Sequence, residues 1–86
     1  MAKYKIEVSK SAEKALYKLP KQILPRLIAA IENLSSNPHP AGSRKLSGTL
    51  NSYRIRFNVY RIIYDVYDDI VLIKILKIGH RKDVYR

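Results

Sequence analysis

Between Tyr53 and Phe57 apolar and polar residues alternate, the period-two pattern of a strand with one buried face. A second β-rich run begins at Tyr60, so Asn58-Val59 reads as the two-residue loop of a hairpin. Counting back from that loop predicts the register. Phe57 faces Tyr60, Arg56 faces Arg61, Ile55 faces Ile62, Arg54 faces Ile63 and Tyr53 faces Tyr64. One face then carries Tyr53, Ile55, Phe57, Tyr60, Ile62 and Tyr64, which is a core face. The other carries Arg54, Arg56 and Arg61. Opposing Arg56 to Arg61 disfavours the pair by roughly 0.2–1 kcal/mol. A fold does not need that arrangement, but a phosphate site would use it.

The flanking pattern completes a fold class. Lys3 to Val8 alternates, with Tyr4, Ile6 and Val8 on the apolar side of a first strand. Ser9 and Ser11 are helix-capping residues, and Ala12, Ala15, Leu16 and Leu19 form a helical stripe that Leu19-Pro20 ends. Ile23, Leu24, Leu27, Ile28, Ile31 and Leu34 make the stripe of a second helix, with Pro25 comfortable only in its first turn. Residues 37–43 hold two prolines and a glycine and read as loop; Leu46 to Leu50 leads through Gly48 into the hairpin. After Tyr67, Asp68-Asp69 reads as a two-residue turn and Ile70 to Ile78 as the last strand, ended by Gly79. Folding back there puts Tyr64 opposite Ile73, Ile62 opposite Ile75, Arg61 opposite Leu76 and Ile63 opposite Lys74. Lys74 thereby joins the arginines. The order β-α-α-β-β-β predicts a two-layer α+β domain, two N-terminal helices packed on one face of a mainly antiparallel sheet. The basic face is predicted to stay open.

Composition narrows the chemistry. The 86 residues are expected to form one domain over 1–86, burying roughly two thirds of the unfolded surface. Seventeen Lys and Arg against seven Asp and Glu give a formal charge of +10, which favours nucleic acid, an acidic protein or an anionic membrane surface as partner. No apolar run is long enough for a membrane span, and charges interrupt every apolar run near the start, so no signal peptide is expected. Cysteine is absent, which removes disulfides and thiolate metal sites and fits a cytoplasmic protein. His39 and His80 are the only imidazoles, so no structural zinc and no other metal or cofactor is expected. Glycine-rich phosphate loops, C-x-x-C pairs and G-x-S-x-G elbows are all missing. His39 lies between two prolines in a loop and reads as surface, whereas His80 follows the strand that carries Lys74 and precedes Arg81. Tyr85 closes a basic tail and either stacks on a base or docks the C-terminus on the core.

Lys45-Leu46-Ser47-Gly48, Tyr53-Arg54-Ile55-Arg56, Tyr60-Arg61-Ile62-Ile63-Tyr64 and Ile78 to Arg86, taken in this order of elements, resemble RelE-type toxins of the RelE/ParE toxin–antitoxin superfamily. The resemblance covers essentially the whole chain, and its last two segments are specific in combination. It implies a ribosome-dependent mRNA endoribonuclease that works without metal, through attack of a ribose 2′-OH on the adjacent phosphate. It also implies an acidic or amphipathic RelB-like antitoxin in a hetero-oligomer that binds operator DNA through the antitoxin. Alternatives within the superfamily are a ParE-like poison of DNA gyrase and an inactive member that only binds an antitoxin. Carried over by position, the implied catalytic set is Arg54, Arg56, Arg61, Arg81 and Tyr85; the counted register adds Lys74, and the basic tail Lys82 and Arg86, as expected RNA-binding cations. Relatives place lysines at the positions of Arg54 and Arg56, and a lysine there is proposed as the general base. Arginine stays protonated and is a poor base. By elimination, His80 is the expected proton-transfer residue, since imidazole ordinarily titrates near neutrality. The loop Asn58-Val59 replaces a more usual Gly-Asp, and valine tolerates positive φ poorly.

Overall fold

The computed structural model describes residues 3–80. Its elements are β1 (Lys5–Val8), α1 (Lys10–Tyr17), α2 (Leu24–Ser36), β2 (Arg44–Lys45), β3 (Ser52–Phe57), β4 (Tyr60–Tyr67) and β5 (Leu72–His80). The strands form one mixed sheet in the order β1-β5-β4-β3-β2, in which β1 runs parallel to β5 and all other pairs are antiparallel. This is the α+β arrangement that the pattern predicts, with one addition. The two residues of β2 extend the edge beside β3, and so short a pairing leaves no periodic signal.

The helices form where the apolar stripes place them. Ser9 caps α1, its Oγ accepting from the Ala12 N–H at 3.0 Å, and Ala12 is fully buried. In α2, Pro25 stands at the second helical position, where its missing N–H costs nothing, and Leu27, Ile31 and Leu34 point inward. They meet Ile55, Ile62, Tyr64, Val66, Ile73, Ile75 and Ile78 from the sheet. On β1 the predicted apolar face is only half used: Ile6 packs against the core, but Val8 is 41% exposed at the sheet edge.

The β3–β4 hairpin has the predicted register at every pair, from Phe57↔Tyr60 to Tyr53↔Tyr64. Its loop puts only Asn58 in the left-handed region, at φ 59°, so Val59 escapes the conformation that β-branched residues resist. The β4–β5 pairing departs from the prediction twice. The turn takes Asp68, Asp69, Ile70 and Val71, with Val71 at φ 54°, so Tyr64 faces Ile75 rather than Ile73. A bulge follows: Tyr64 pairs with Ile75 but Ile63 pairs with Lys77, leaving Leu76 extra. The Leu76 carbonyl turned out there accepts from Ser9 Oγ at 2.8 Å, so one serine caps α1 and ties it to the bulge. Beyond Leu76 the alternation is inverted. Ile78 faces the core across from Ile62, and Arg61 lies opposite Gly79 rather than Leu76.

The loop after α2 is pinned to the core from two sides. Buried Tyr64 donates its hydroxyl to the Pro38 carbonyl at 2.8 Å, and the His39 ring meets the Tyr53 ring edge-on at 4.7 Å. No helix among the described residues is long and apolar enough to cross a membrane.

Candidate functional site

The hairpin register brings Arg54, Arg56 and Arg61 to the sheet face away from the helices. They do not share one environment. Arg56 is exposed, Arg54 is half-buried and Arg61 is only 4% exposed, which corrects the expectation that this face lies open throughout. Arg61 is the one charged side chain in the buried set of the described residues. Its side chain is therefore enclosed by the fold beside the exposed Arg56, its cross-strand partner. In a medium of lower effective dielectric its field acts more strongly on a nearby anion than that of a solvated lysine.

A further arginine joins from a segment the sequence pattern leaves unassigned. Arg44 pairs with Arg54 across β2 and β3, so the two side chains lie side by side on the same face. Arg44, Arg54, Arg56 and Gly42 line an open pocket of about 320 Å³. Gly42 sits at φ 91°, a conformation that side chains rarely adopt, and leaves the rim of the pocket low. A second hollow of about 240 Å³ adjoins it between α2 and the edge of β3, where Arg56 and Gly42 again contribute to the wall. Because β2 is so short, β3 beyond Arg54 keeps an uncovered edge there. Two like-charge cross-strand pairs, Arg44↔Arg54 and Arg56↔Arg61, thus stand next to one another. The one sequence signal for Arg44 is its place just before Lys45-Leu46-Ser47-Gly48.

Other predicted positions are corrected by the register of β5. Lys74 does not join the arginines: it pairs with Asp65 on one side and Glu7 on the other, four residues along β4 from Arg61, or roughly 13 Å. Lys77, opposite Ile63, is the lysine beside the arginine cluster. The distant end of this face is acidic and hydroxylic. Asp65 accepts from Ser52 Oγ at 2.5 Å and from the Tyr67 hydroxyl at 2.8 Å, and that carboxylate raises the Tyr67 pKa. His80 also lands elsewhere. The bulge at Leu76 inverts the alternation, so His80 lies opposite Tyr60 with the two rings 6.3 Å apart, on the helix side of the sheet. The sheet itself separates it from Arg54 and Arg56. Arg81, Lys82, Tyr85 and Arg86 lie outside the described residues. Among the described residues no group of His, Cys, Asp or Glu is clustered as metal ligands would be.

A small α+β domain with a basic sheet face matches known toxins along its length. Residues 6–85 match the family described as ParE toxin of type II toxin–antitoxin system, parDE. Toxin RelG of Mycobacterium tuberculosis is 33% identical over 87 residues, covering 96% of this chain and 97% of the relative. Among solved structures, the archaeal RelE–RelB complex from Pyrococcus horikoshii has a TM-score of 0.82 at 36% identity, covering 92% of this chain and 96% of that one. The M. tuberculosis toxin–antitoxin complex RelBE2 has a TM-score of 0.78 at 27% identity, covering 92% and 99%. The chain belongs to the RelE/ParE superfamily of type II toxins and is a RelE-type member.

Proposed function

We propose that this toxin is a metal-independent endoribonuclease that cuts messenger RNA in the ribosomal A site. The observation that carries the reading is the convergence of Arg54 and Arg56 with the buried Arg61 on one face, in a register that opposes like charges. That arrangement suits a phosphate whose charge grows during reaction. In the proposed step the ribose 2′-oxygen forms a bond to the adjacent phosphorus, the bond to the 5′-oxygen breaks, and a cyclic phosphate and a 5′-hydroxyl result. The 2′-proton leaves to solvent, and the 5′-oxygen takes one up. Arginine neither gives nor accepts protons readily, so the described cluster works by in-line orientation and by stabilising the phosphorane. Arg56 grips the phosphate from solvent, Arg61 supplies fixed positive charge behind it and Arg54 holds the neighbouring backbone. By family resemblance Arg81 and Tyr85 complete the set, one on the phosphate and one stacked on a base, with Lys82 and Arg86 as outer RNA contacts. Proton transfer by His80 is not part of this reading, because its ring lies beyond the sheet against Tyr60.

The partner in the resting state is a RelB-like antitoxin, as in the RelE–RelB complexes that this fold resembles. A toxin of +10 charge suits an acidic segment laid over the arginine face, and operator binding then belongs to the antitoxin. The test is cleavage on programmed ribosomes. EDTA should leave the rate unchanged, and a 2′-deoxy nucleotide on the 5′ side of the scissile phosphate should abolish cleavage. A strict metal requirement, cutting of the deoxy message, or intact message with trapped gyrase would each overturn the proposal.

A further inference from the structure

We infer that Arg44 is a substrate-binding residue, and that the arginine face holds two adjacent phosphates of a single RNA strand rather than one. The inference deepens the nuclease reading and rests on it for the identity of the ligand as RNA.

The geometry comes from two ladders. Arg56 opposes Arg61 across β3 and β4, and Arg44 opposes Arg54 across β2 and β3. Each like-charge pair is unfavourable by itself. Arg54 and Arg56 are two residues apart on one strand, a separation of roughly 7 Å. That is about the reach from one phosphate to the next along an extended strand of RNA. The Arg56–Arg61 pair therefore takes one phosphate and the Arg44–Arg54 pair its neighbour. The four residues lining the pocket include three arginines and no acid.

Arg44 is also held in place, which distinguishes it from a surface arginine on a free loop. The loop before it is fixed by Tyr64 on the Pro38 carbonyl and by the Ser43 N–H on the Pro40 carbonyl at 2.9 Å. After it, the Leu46 N–H donates to the Ser52 carbonyl at 2.9 Å. A guanidinium on a braced backbone loses less freedom on binding and can offer two parallel N–H groups to one phosphate.

The test uses the full chain and a 2′-O-methyl RNA tetranucleotide, which binds but cannot be cut. Affinity is measured by fluorescence anisotropy as a function of salt. Arg44→Ala should weaken binding about 10-fold at low salt and reduce the log–log salt slope by about 0.7, the loss of one phosphate contact on a single strand. Arg44→Lys should recover part of the affinity and all of the slope. Neutralising one phosphate at a time as a methylphosphonate then locates the contacts. The position that ceases to matter in Arg44→Ala should be adjacent to the one that ceases to matter in Arg56→Ala. Unchanged affinity and slope in Arg44→Ala, or the same silent phosphate in both variants, would overturn the inference. Ribosomal cleavage by the wild type is scored separately. If the wild type does not cut message, the nuclease reading falls, while the phosphate scan still decides whether Arg44 and Arg56 hold neighbouring anions.

Discussion

Truncating Arg61 should cost the molecule twice, once in stability and once in chemistry. The side chain is 4% exposed, so its methylene stem is part of the packing as well as a carrier of charge. Arg61→Ala removes two buried methylenes beyond Cβ together with the guanidinium. At about 0.8 kcal/mol per buried methylene, the stem alone contributes roughly 1.5 kcal/mol. A domain of this size has on the order of 5–15 kcal/mol in total, so Arg61→Ala should fold but with a clearly lowered urea midpoint. Arg61→Met separates the two effects. Methionine fills the same channel without charge, and exchanging a buried charge for apolar volume is often neutral. Its stability should therefore lie within about 1 kcal/mol of wild type. Both variants should lose roughly 10²-fold in single-turnover cleavage of A-site message, the scale of removing one fixed donor from a developing oxyanion. Unfolding is followed by circular dichroism and cleavage by primer extension. Near-normal cleavage by Arg61→Met would show that the buried charge takes no part in the chemistry. An undiminished urea midpoint in Arg61→Ala would show that the side chain is not packed as described.

Three other outcomes follow from the same structure. His80→Ala should cleave within a few-fold of wild type, since the imidazole lies on the helix side of the sheet; a 10²-fold loss would mean that it reaches the substrate. Ser9→Ala should lose roughly 2 kcal/mol, one part from the α1 cap and one from the Leu76 carbonyl, whereas Ser9→Asp keeps the cap alone and should fall between; equal stability of all three proteins in urea would refute the double role. Burial pushes the Tyr64 hydroxyl up to about 12. The neutral phenol is thus the form favoured in the folded state, and its contribution is complete below about pH 10 and lost as pH rises towards 12. Tyr64→Phe should cost roughly 1 kcal/mol near neutrality through the lost bond to Pro38, yet show a shallower alkaline decline, which urea titrations at several pH values would reveal.

Pairing in the β3–β4 hairpin was readable from the chain because a two-residue loop and a clean alternation leave one solution to the count. The same count failed across the next turn for two local reasons. Val71 takes a left-handed conformation that a β-branched residue seldom adopts, which lengthens the turn beyond Asp68-Asp69. Leu76 is then inserted without any mark in the hydrophobic pattern, because its neighbours on both sides remain apolar or amphipathic. Those two residues moved Lys74 away from the arginines and carried His80 through to the other face. Arg44 was missed because two residues cannot display a period. The burial of Arg61 was missed because alternation tells which face a residue takes, not how deeply that face is covered.

The sheet order has a consequence for how the protein is made. β5, the last described strand, lies between β1 and β4, and β1 touches no other strand. A ribosome that has released everything up to Tyr67 has produced a hairpin and two helices with no place to anchor the N-terminal strand. The sheet closes only when β5 emerges, so the arginine face gains its full backing late, after the hairpin that carries it has been made. A shortened product ending before Leu72 would lack the interior strand that joins β1 to its own sheet. Under the proposed action on the ribosome, this ordering delays competence until β5 has emerged, and leaves that interval for an antitoxin to reach the surface first.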